Sequence, residues 1–140
     1  MIAVDTNVVV RFLVFDEPDQ SARARELFAA EQIFIPDTVV LETAWVLSYS
    51  YELDKPTIAA GLRRLFGLAN VHLRDAAEMY LALEWHDHGL DFADALHLAQ
   101  STHCTRMLTF DRRFAARSEA ISGVGVEVLG SNVRGDEPRR

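Results

Sequence analysis

Apolar residues along the chain occur in two kinds of segment: short continuous runs, and longer stretches in which they recur at helical spacing. A buried strand is short and apolar throughout, whereas a helix repeats its apolar side every three or four residues, so the pattern predicts both elements in alternation. We predict strands at Ile2–Val4, Gln32–Ile35, Val71–Leu73, Arg106–Phe110 and Val124–Leu129. We predict helices over about Val8–Val14, Pro18–Ala30, Asp37–Tyr51, Thr57–Leu68, Asp75–His88 and Asp91–Thr102.

Short strands that alternate with helices are typical of an α/β fold in which a parallel sheet is covered on both faces. We therefore expect a short parallel β-sheet of about four or five strands, flanked by helices on both sides. The 140 residues are enough for one domain with a sizeable core, which we assign to residues 1–130. The tail, residues 131–140, has almost no apolar side chains and is expected to be flexible.

Small polar residues predict where several helices begin and end. The first helix is expected to be capped by Thr6 or Asn7, and Asp91 can cap a later one. Gly89 is expected to end the helix before it. Residues 112–114 begin a turn or a short helix.

The composition is that of a globular protein, with 49% hydrophobic and 25% charged residues. A formal net charge of −7 argues weakly against a general nucleic-acid coat protein, but not against an enzyme whose carboxylates hold cations. Cys104 is the single cysteine, so no internal disulfide can form, and we expect it in the core. No signal peptide or membrane span is visible, which predicts a cytoplasmic protein.

Four acidic residues stand where an α/β fold can bring them to one edge of the sheet. Asp5 and Asp111 follow predicted strands, and ligands of open α/β sheets bind at the carboxyl ends of strands. Glu42 and Asp94 lie in the first turns of helices that follow strands or loops. Glu42 is also surrounded by apolar residues, where a carboxylate needs a partner or a metal ion.

Carboxylates gathered in one crevice repel each other unless cations neutralise them. Ligands that are all oxygen suit Mg²⁺ or Mn²⁺, and such an ion activates water for attack on a phosphodiester. Arg112 and Arg113 are candidates for contacts with the phosphate backbone. Thr6 and Asn7 can either hold Asp5 in place or bind a water of the metal. The residues thus point to hydrolysis of a nucleic-acid backbone.

Four motifs, in this order, resemble those of PIN-domain ribonucleases, and more closely those of VapC-type toxins of toxin–antitoxin pairs. They are VDTNV from Val4, VVLETAWVL with Glu42, FADALHLA with Asp94, and LTFDRRF with Asp111. The resemblance extends from Met1 to about Leu129. It implies metal-dependent cleavage of RNA, a flanked parallel sheet, homodimerisation and inhibition by a cognate antitoxin. It also implies that the four acidic residues of these motifs are the catalytic residues and the metal ligands, namely Asp5, Glu42, Asp94 and Asp111.

Simpler roles compete with these assignments for some residues. Asp111 can act only as a helix cap, and capping is the favoured role for Asp91, whose position varies in the family. Arg11 is within reach of a substrate, but a solvated position on its helix is favoured. Trp45 is expected in the core, although with Tyr49 and Tyr51 it can also form a dimer surface. The five histidines have no zinc-site spacing and are expected on the surface or in packing.

Two other functions compete with the ribonuclease. The first is a non-catalytic PIN-like module that binds RNA or a protein, with the carboxylates as relics. The second is a phosphatase with Asp5 as its nucleophile. The phosphatase is less favoured because such enzymes usually carry a second aspartate two residues on, where this chain has Asn7.

Overall fold

A computed structural model describes residues 1–130 of the chain. These residues belong to two compact units, the first ending at Tyr80 and the second beginning at Leu81. The described residues form seven helices and five strands, and every pair of strands is parallel. The α/β class with parallel strands is therefore confirmed. The single domain over residues 1–130 stays a prediction, and the predicted flexible tail lies outside the described residues.

The first unit contains a three-stranded sheet in the order β1-β2-β3. Ile2 of β1 pairs with Ile33 of β2, which pairs with Val71 of β3. The strands are β1 (Ile2–Ala3), β2 (Ile33–Phe34) and β3 (Val71–His72). The helices are α1 (Thr6–Leu13), α2 (Pro18–Ala30), α3 (Asp37–Tyr49) and α4 (Lys55–Phe66). Helix α5 (Ala76–Asp87) begins in this unit.

The second unit contains a two-stranded sheet, in which Met107 pairs with Val126. The strands are β4 (Met107–Thr109) and β5 (Val126–Val128), and the helices are α6 (Phe92–Ala99) and α7 (Arg112–Ser122). Gly89 follows α5 with φ of +116°, a backbone conformation that glycine adopts without a steric penalty, so its predicted role at the end of the helix is confirmed.

Apolar side chains explain which faces of these elements are buried. In the first unit the fully buried side chains include Val9, Ile33, Ile35, Val40, Leu62 and Leu65, which come from strands and helices alike. In the second unit they include Leu83, Leu90 and Leu98. His86 is buried as well, with its ring edge-on to Phe92 at 5.6 Å. His86 therefore has a packing role, one of the two roles that were predicted for the histidines.

Several local predictions were wrong. The first helix begins at Thr6, and Asp5 caps it instead of Thr6 or Asn7. The predicted turn or short helix at residue 112 is an 11-residue helix, α7. Cys104, expected in the core, is exposed. Trp45, also expected in the core, is 58% exposed. No helix within residues 1–130 is both long and apolar enough to cross a bilayer.

Candidate active site

Asp5 stands at the junction between the first strand and the first helix. Ile2 and Val4 bond to neighbouring backbone carbonyls of the β2 region, which fixes this end of the strand. Asp5 then adopts an extended conformation as the N-cap of α1 and accepts a hydrogen bond from the Thr6 N–H at 2.7 Å. Its carboxylate is exposed. The helix start thus holds a charged, solvent-facing group at the carboxyl end of β1, as the sequence predicted.

Glu42 is joined to the same helix start by a short hydrogen bond. The hydroxyl of Thr6 donates to Glu42 Oε1 at 2.6 Å, a length typical of a hydroxyl bound to a carboxylate. Thr6 is 8% exposed, whereas Glu42 is exposed on α3. Thr6 is therefore the hydrogen-bond partner of Glu42. The contact also fixes one carboxylate oxygen relative to α1.

Asp5 and Glu42 line one open cavity of about 560 Å³, a size typical of small-ligand sites. Two predicted polar residues, Thr6 and Asn7, line it too. The remaining walls come from α1, α3 and the segment after α3, through Val10, Arg11, Val46, Ser50 and Tyr51. The first unit thus brings together two of the four predicted acidic residues and both predicted small polar residues.

Arg11 also lines this cavity, although the sequence did not favour it as a substrate contact. Its side chain is 27% exposed, so it is partly solvated and also lines the cavity. Asn7 and Arg11 are four residues apart in α1 and therefore share a face of the helix. That spacing was the signal in the sequence, but it did not reveal that the cavity opens along this face.

Asp94 and Asp111 belong to the second unit, where both lie at helix starts. Asp91 caps α6 by accepting from the Ala93 N–H, which confirms the predicted cap, and Asp94 follows in the first turn. Asp111 caps α7 by accepting from the Phe114 N–H at 3.0 Å. The capping role that competed with catalysis for Asp111 is therefore present, although a carboxylate with two oxygens can cap and bind an ion together.

Arg112 and Arg113, the predicted phosphate contacts, are exposed at the beginning of α7. Arg112 lines a cavity of about 370 Å³ together with Glu119 and Glu127. None of the four predicted acidic residues lines that cavity.

The chemistry of the donor set in the larger cavity fits a hard divalent cation. Asp5 and Glu42 offer carboxylate oxygens, and Mg²⁺ in proteins typically takes one or two carboxylates and keeps several waters. Across residues 1–130, no three His, Cys, Asp or Glu side chains are placed so that together they would hold a metal ion. The arrangement in the first unit therefore suits an ion whose coordination is completed by water and a substrate phosphate.

An aromatic pair lies on the exposed side of α3. Trp45 and Tyr49 stack with their ring centroids 4.9 Å apart and their planes 14° apart. Tyr49 is 73% exposed. Glu42, Trp45 and Tyr49 are spaced three and four apart, so they share one face of the helix. Trp45 thus contributes to the surface that carries Glu42.

Comparison with known proteins identifies a family, and several solved structures are similar to the chain. The family model described as "PIN domain" matches residues 2–120. Among solved structures, the chain is similar to VapC20 of Mycobacterium tuberculosis, described as a sarcin-ricin loop cleaving toxin. The identity is 21% and the TM-score is 0.41, over 83% of this chain and 94% of VapC20. No curated protein matches the chain.

Proposed function

The chain belongs to the PIN-domain family, and from this premise we propose that it is a metal-dependent endoribonuclease that acts as the toxin of a toxin–antitoxin pair. The family match confirms the predicted PIN-like α/β fold. The observation that carries the proposal is the cavity of the first unit, where Asp5 and Glu42 stand together and Thr6 binds Glu42. A pair of carboxylates in an open cavity is suited to an ion that must also reach a large substrate.

The proposed cofactor is Mg²⁺ or Mn²⁺, and the residues proposed as its ligands are Asp5, Asp94, Glu42 and Asp111. A bound divalent ion lowers the pKa of a water ligand and stabilises charge on the leaving oxygen. Thr6 donates to Glu42 Oε1 at 2.6 Å, so Oε2 would be the oxygen available to the ion or to one of its waters. No histidine base is needed in this scheme.

Substrate contacts are assigned to Thr6, Asn7, Arg112 and Arg113. Asn7 lines the same cavity as the two carboxylates and offers both an amide donor and an acceptor. Arg112 and Arg113 are exposed cations next to Asp111, and arginine is suited to paired hydrogen bonds with phosphate oxygens. Single-stranded or unpaired RNA is the expected target, because its bases and backbone are accessible to a protein surface.

We further propose a cognate antitoxin, a homodimer and a cytoplasmic location. The stacked Trp45 and Tyr49 side chains are exposed and apolar, which suits a surface that a second protein chain covers. An antitoxin that inserts an arginine among the carboxylates would block metal and substrate together. The competing function is a non-catalytic module that binds RNA or a protein through the same surfaces.

The decisive experiment is cleavage of total RNA by the purified protein with Mg²⁺, with Mn²⁺ and with EDTA. Asp5→Ala and Asp94→Ala are compared with Asp54→Ala, a control that removes an exposed aspartate cap elsewhere in the first unit. We expect discrete fragments that require metal, disappear in the first two variants and persist in the control. Cleavage by Asp5→Ala at the wild-type rate would contradict the assignment. If no condition gives cleavage and calorimetry detects no metal binding, the binding module is the better description.

A further inference from the structure

Arg11 is the only basic side chain among the residues that line the cavity of Asp5 and Glu42 in the described part of the chain. The cavity therefore combines two carboxylates with one guanidinium group. A cavity that held carboxylates alone would repel a phosphodiester until a metal ion was bound. Arg11 adds a permanent positive charge, since an arginine does not lose its proton in proteins.

Hydrogen bonds hold the guanidinium group in one orientation. Arg11 Nε donates to the side-chain oxygen of Gln20 at 2.8 Å, and Nη1 donates to the Tyr51 hydroxyl at 3.1 Å. The Tyr51 hydroxyl in turn donates to Asp16 at 2.8 Å, which fixes the direction in which it accepts. Asp16 itself forms an ion pair with Nη1 at 3.5 Å, at the limit of a hydrogen bond. Within residues 1–130 Nη2 has no acceptor, so its two N–H groups remain for a ligand.

A second cavity, of about 330 Å³, meets the first at Asn7 and Arg11, which line both. Gln20 and Arg23 also line this second cavity. Asn7 and Arg11 therefore form a wall common to both cavities, with the carboxylates in the first one. A phosphate that enters the first cavity can reach the part of Arg11 that lines it.

We propose that Arg11 binds a backbone phosphate of the RNA strand, adjacent to the phosphate that is cleaved. This inference rests on the proposed ribonuclease function. The remaining N–H groups on Nη2 can donate to phosphate oxygens, and a guanidinium that is already oriented loses less entropy on binding. Gln20 and Tyr51 are then positioning residues, because they act on the substrate only through Arg11. The contact lies off the reacting phosphate and contributes equally to the bound substrate and the transition state.

A purely structural role is the competing explanation, because the same hydrogen bonds connect α1 with α2 and with the segment after α3. The two explanations differ in their salt dependence. A cation that neutralises one phosphate of a single strand contributes about 0.7 to the slope of log K against log salt concentration. A structural brace contributes nothing to that slope once the variant is folded.

The test measures binding of a fluorescein-labelled single-stranded RNA of mixed sequence in EDTA, which withholds metal and prevents turnover. The electrostatic part of binding does not depend on sequence, so the probe need not contain the natural target. The variants are Arg11→Gln and Arg11→Lys, with Arg23→Gln as the matched control. Arg23 carries the same charge and lines the neighbouring cavity, but it does not line the cavity of Asp5 and Glu42. It donates to Asp19 at 2.9 Å, a hydrogen bond that raises the pKa of Arg23. Melting curves establish that each variant is folded.

We expect Arg11→Gln to weaken binding about tenfold and to reduce the salt slope by about 0.7, while Arg23→Gln changes both far less. Arg11→Lys should keep the slope and lose part of the affinity, because lysine retains the charge but not the guanidinium group that Gln20 and Tyr51 orient. With metal present, Arg11→Gln should raise KM with kcat nearly unchanged. If Arg11→Gln does not fold, Tyr51→Phe, which removes the acceptor for Nη1, should weaken binding without changing the slope.

An unchanged slope and affinity in folded Arg11→Gln would overturn the proposal, as would equal losses in Arg11→Gln and Arg23→Gln. Neither result depends on cleavage. Failure of the wild type to cleave RNA would instead count against the ribonuclease, so the two failures are distinguishable.

Discussion

Each compact unit contains an aspartate that follows a strand and caps a helix, but the two aspartates have different neighbours. Asp5 follows β1 and caps α1, and Asp111 follows β4 and caps α7. Among the hydrogen bonds of residues 1–130, the Asp5 carboxylate accepts only that of the adjacent N–H, and this carboxylate lines the cavity that contains Glu42. Asp111 instead reaches the N–H three residues on, the usual geometry of a cap. The comparison teaches that two aspartates in the same position after a strand can have different neighbours and different hydrogen bonds.

Capping aspartates are in fact common in this chain. Asp54 and Asp91 also cap helices through their carboxylates, and neither lines the cavity of Asp5. What distinguishes Asp5 is the second acidic side chain beside it, brought there by the contact between Thr6 and Glu42. Asp54 and Asp91 therefore provide controls, because substituting either one removes a helix cap without changing a residue that lines the cavity.

The largest expected effect separates Asp5 from Asp111 directly. Asparagine caps a helix as well as aspartate does, so Asp5→Asn and Asp111→Asn remove charge and retain the cap. We expect Asp5→Asn to reduce RNA cleavage more than about 100-fold, since the loss of a direct ligand exceeds the roughly 10–100-fold cost of losing a supporting partner. Asp111→Asn should lose less. Equal losses in both variants, measured as initial cleavage rates, would break the comparison.

The next effect tests whether Thr6 makes the first unit different. Thr6→Val removes the hydroxyl that binds Glu42 and keeps the shape of the side chain. We expect kcat to fall roughly tenfold, because Glu42 is no longer held in one orientation. Thr6→Ser, which retains the hydroxyl, should stay near the wild-type rate. Wild-type kcat in folded Thr6→Val would mean that Glu42 needs no fixed orientation.

A smaller effect measures the cap in the second unit. Asp111→Ala removes the acceptor for the Phe114 N–H and should lower the free energy of unfolding by about 1 kcal/mol. Asp111→Asn should cost much less, because asparagine also accepts this hydrogen bond. Urea denaturation of both variants measures the difference. Equal destabilisation by alanine and asparagine would show that charge, rather than capping, is what Asp111 contributes to stability.

The smallest effect concerns Asp54, the cap without a cavity. Hydrogen bonds from Thr57 lower the pKa of Asp54 below its ordinary value of 3.8, with the side-chain hydrogen bond as the larger cause. A pKa that is lower in the folded state adds stability above pH 3.8, and this stability is lost as the pH falls through the folded value. The urea midpoint of Asp54→Asn should therefore lie slightly below that of the wild type at pH 7, and the gap should close in acid. A gap that widens in acid would contradict the shift.

Much of the fold was predictable from the sequence because its signals are local. The end of α2 at Ala30 was predicted and its start was placed within Asp16–Pro18, since Pro18 is suited to a first helical turn and the apolar residues keep a helical period. Gly89 was predicted to end its helix because glycine adopts a positive φ without a steric penalty, and its φ is positive. The strands were predicted too long, because only two or three residues of each one pair with a neighbour. Pairing depends on distant residues, which no local pattern reports.

The site was predictable in its residue types and less so in its surroundings. Asp5 and Glu42 were identified from their positions, but the role of Thr6 required knowing that α1 and α3 meet. Trp45 was misjudged because apolar residues lie on every side of α3, so no stripe in the sequence marks its buried face. The place of Arg11 in the cavity was missed for a related reason. Its partners Gln20 and Tyr51 are 9 and 40 residues away in the chain.

The stacked Trp45 and Tyr49 on α3 also allow the intrinsic tryptophan fluorescence of the protein to report binding. The chain has two tryptophans, of which Trp45 is 58% exposed and Trp85 is 7% exposed. Trp45 should therefore supply the long-wavelength part of the emission and almost all of the quenching by acrylamide. Any molecule that covers this face of α3 would shift that part to shorter wavelength and protect it, while the signal of Trp85 stays constant. An unlabelled sample can thus reveal when, and at what concentration, the exposed face of Glu42, Trp45 and Tyr49 becomes occupied.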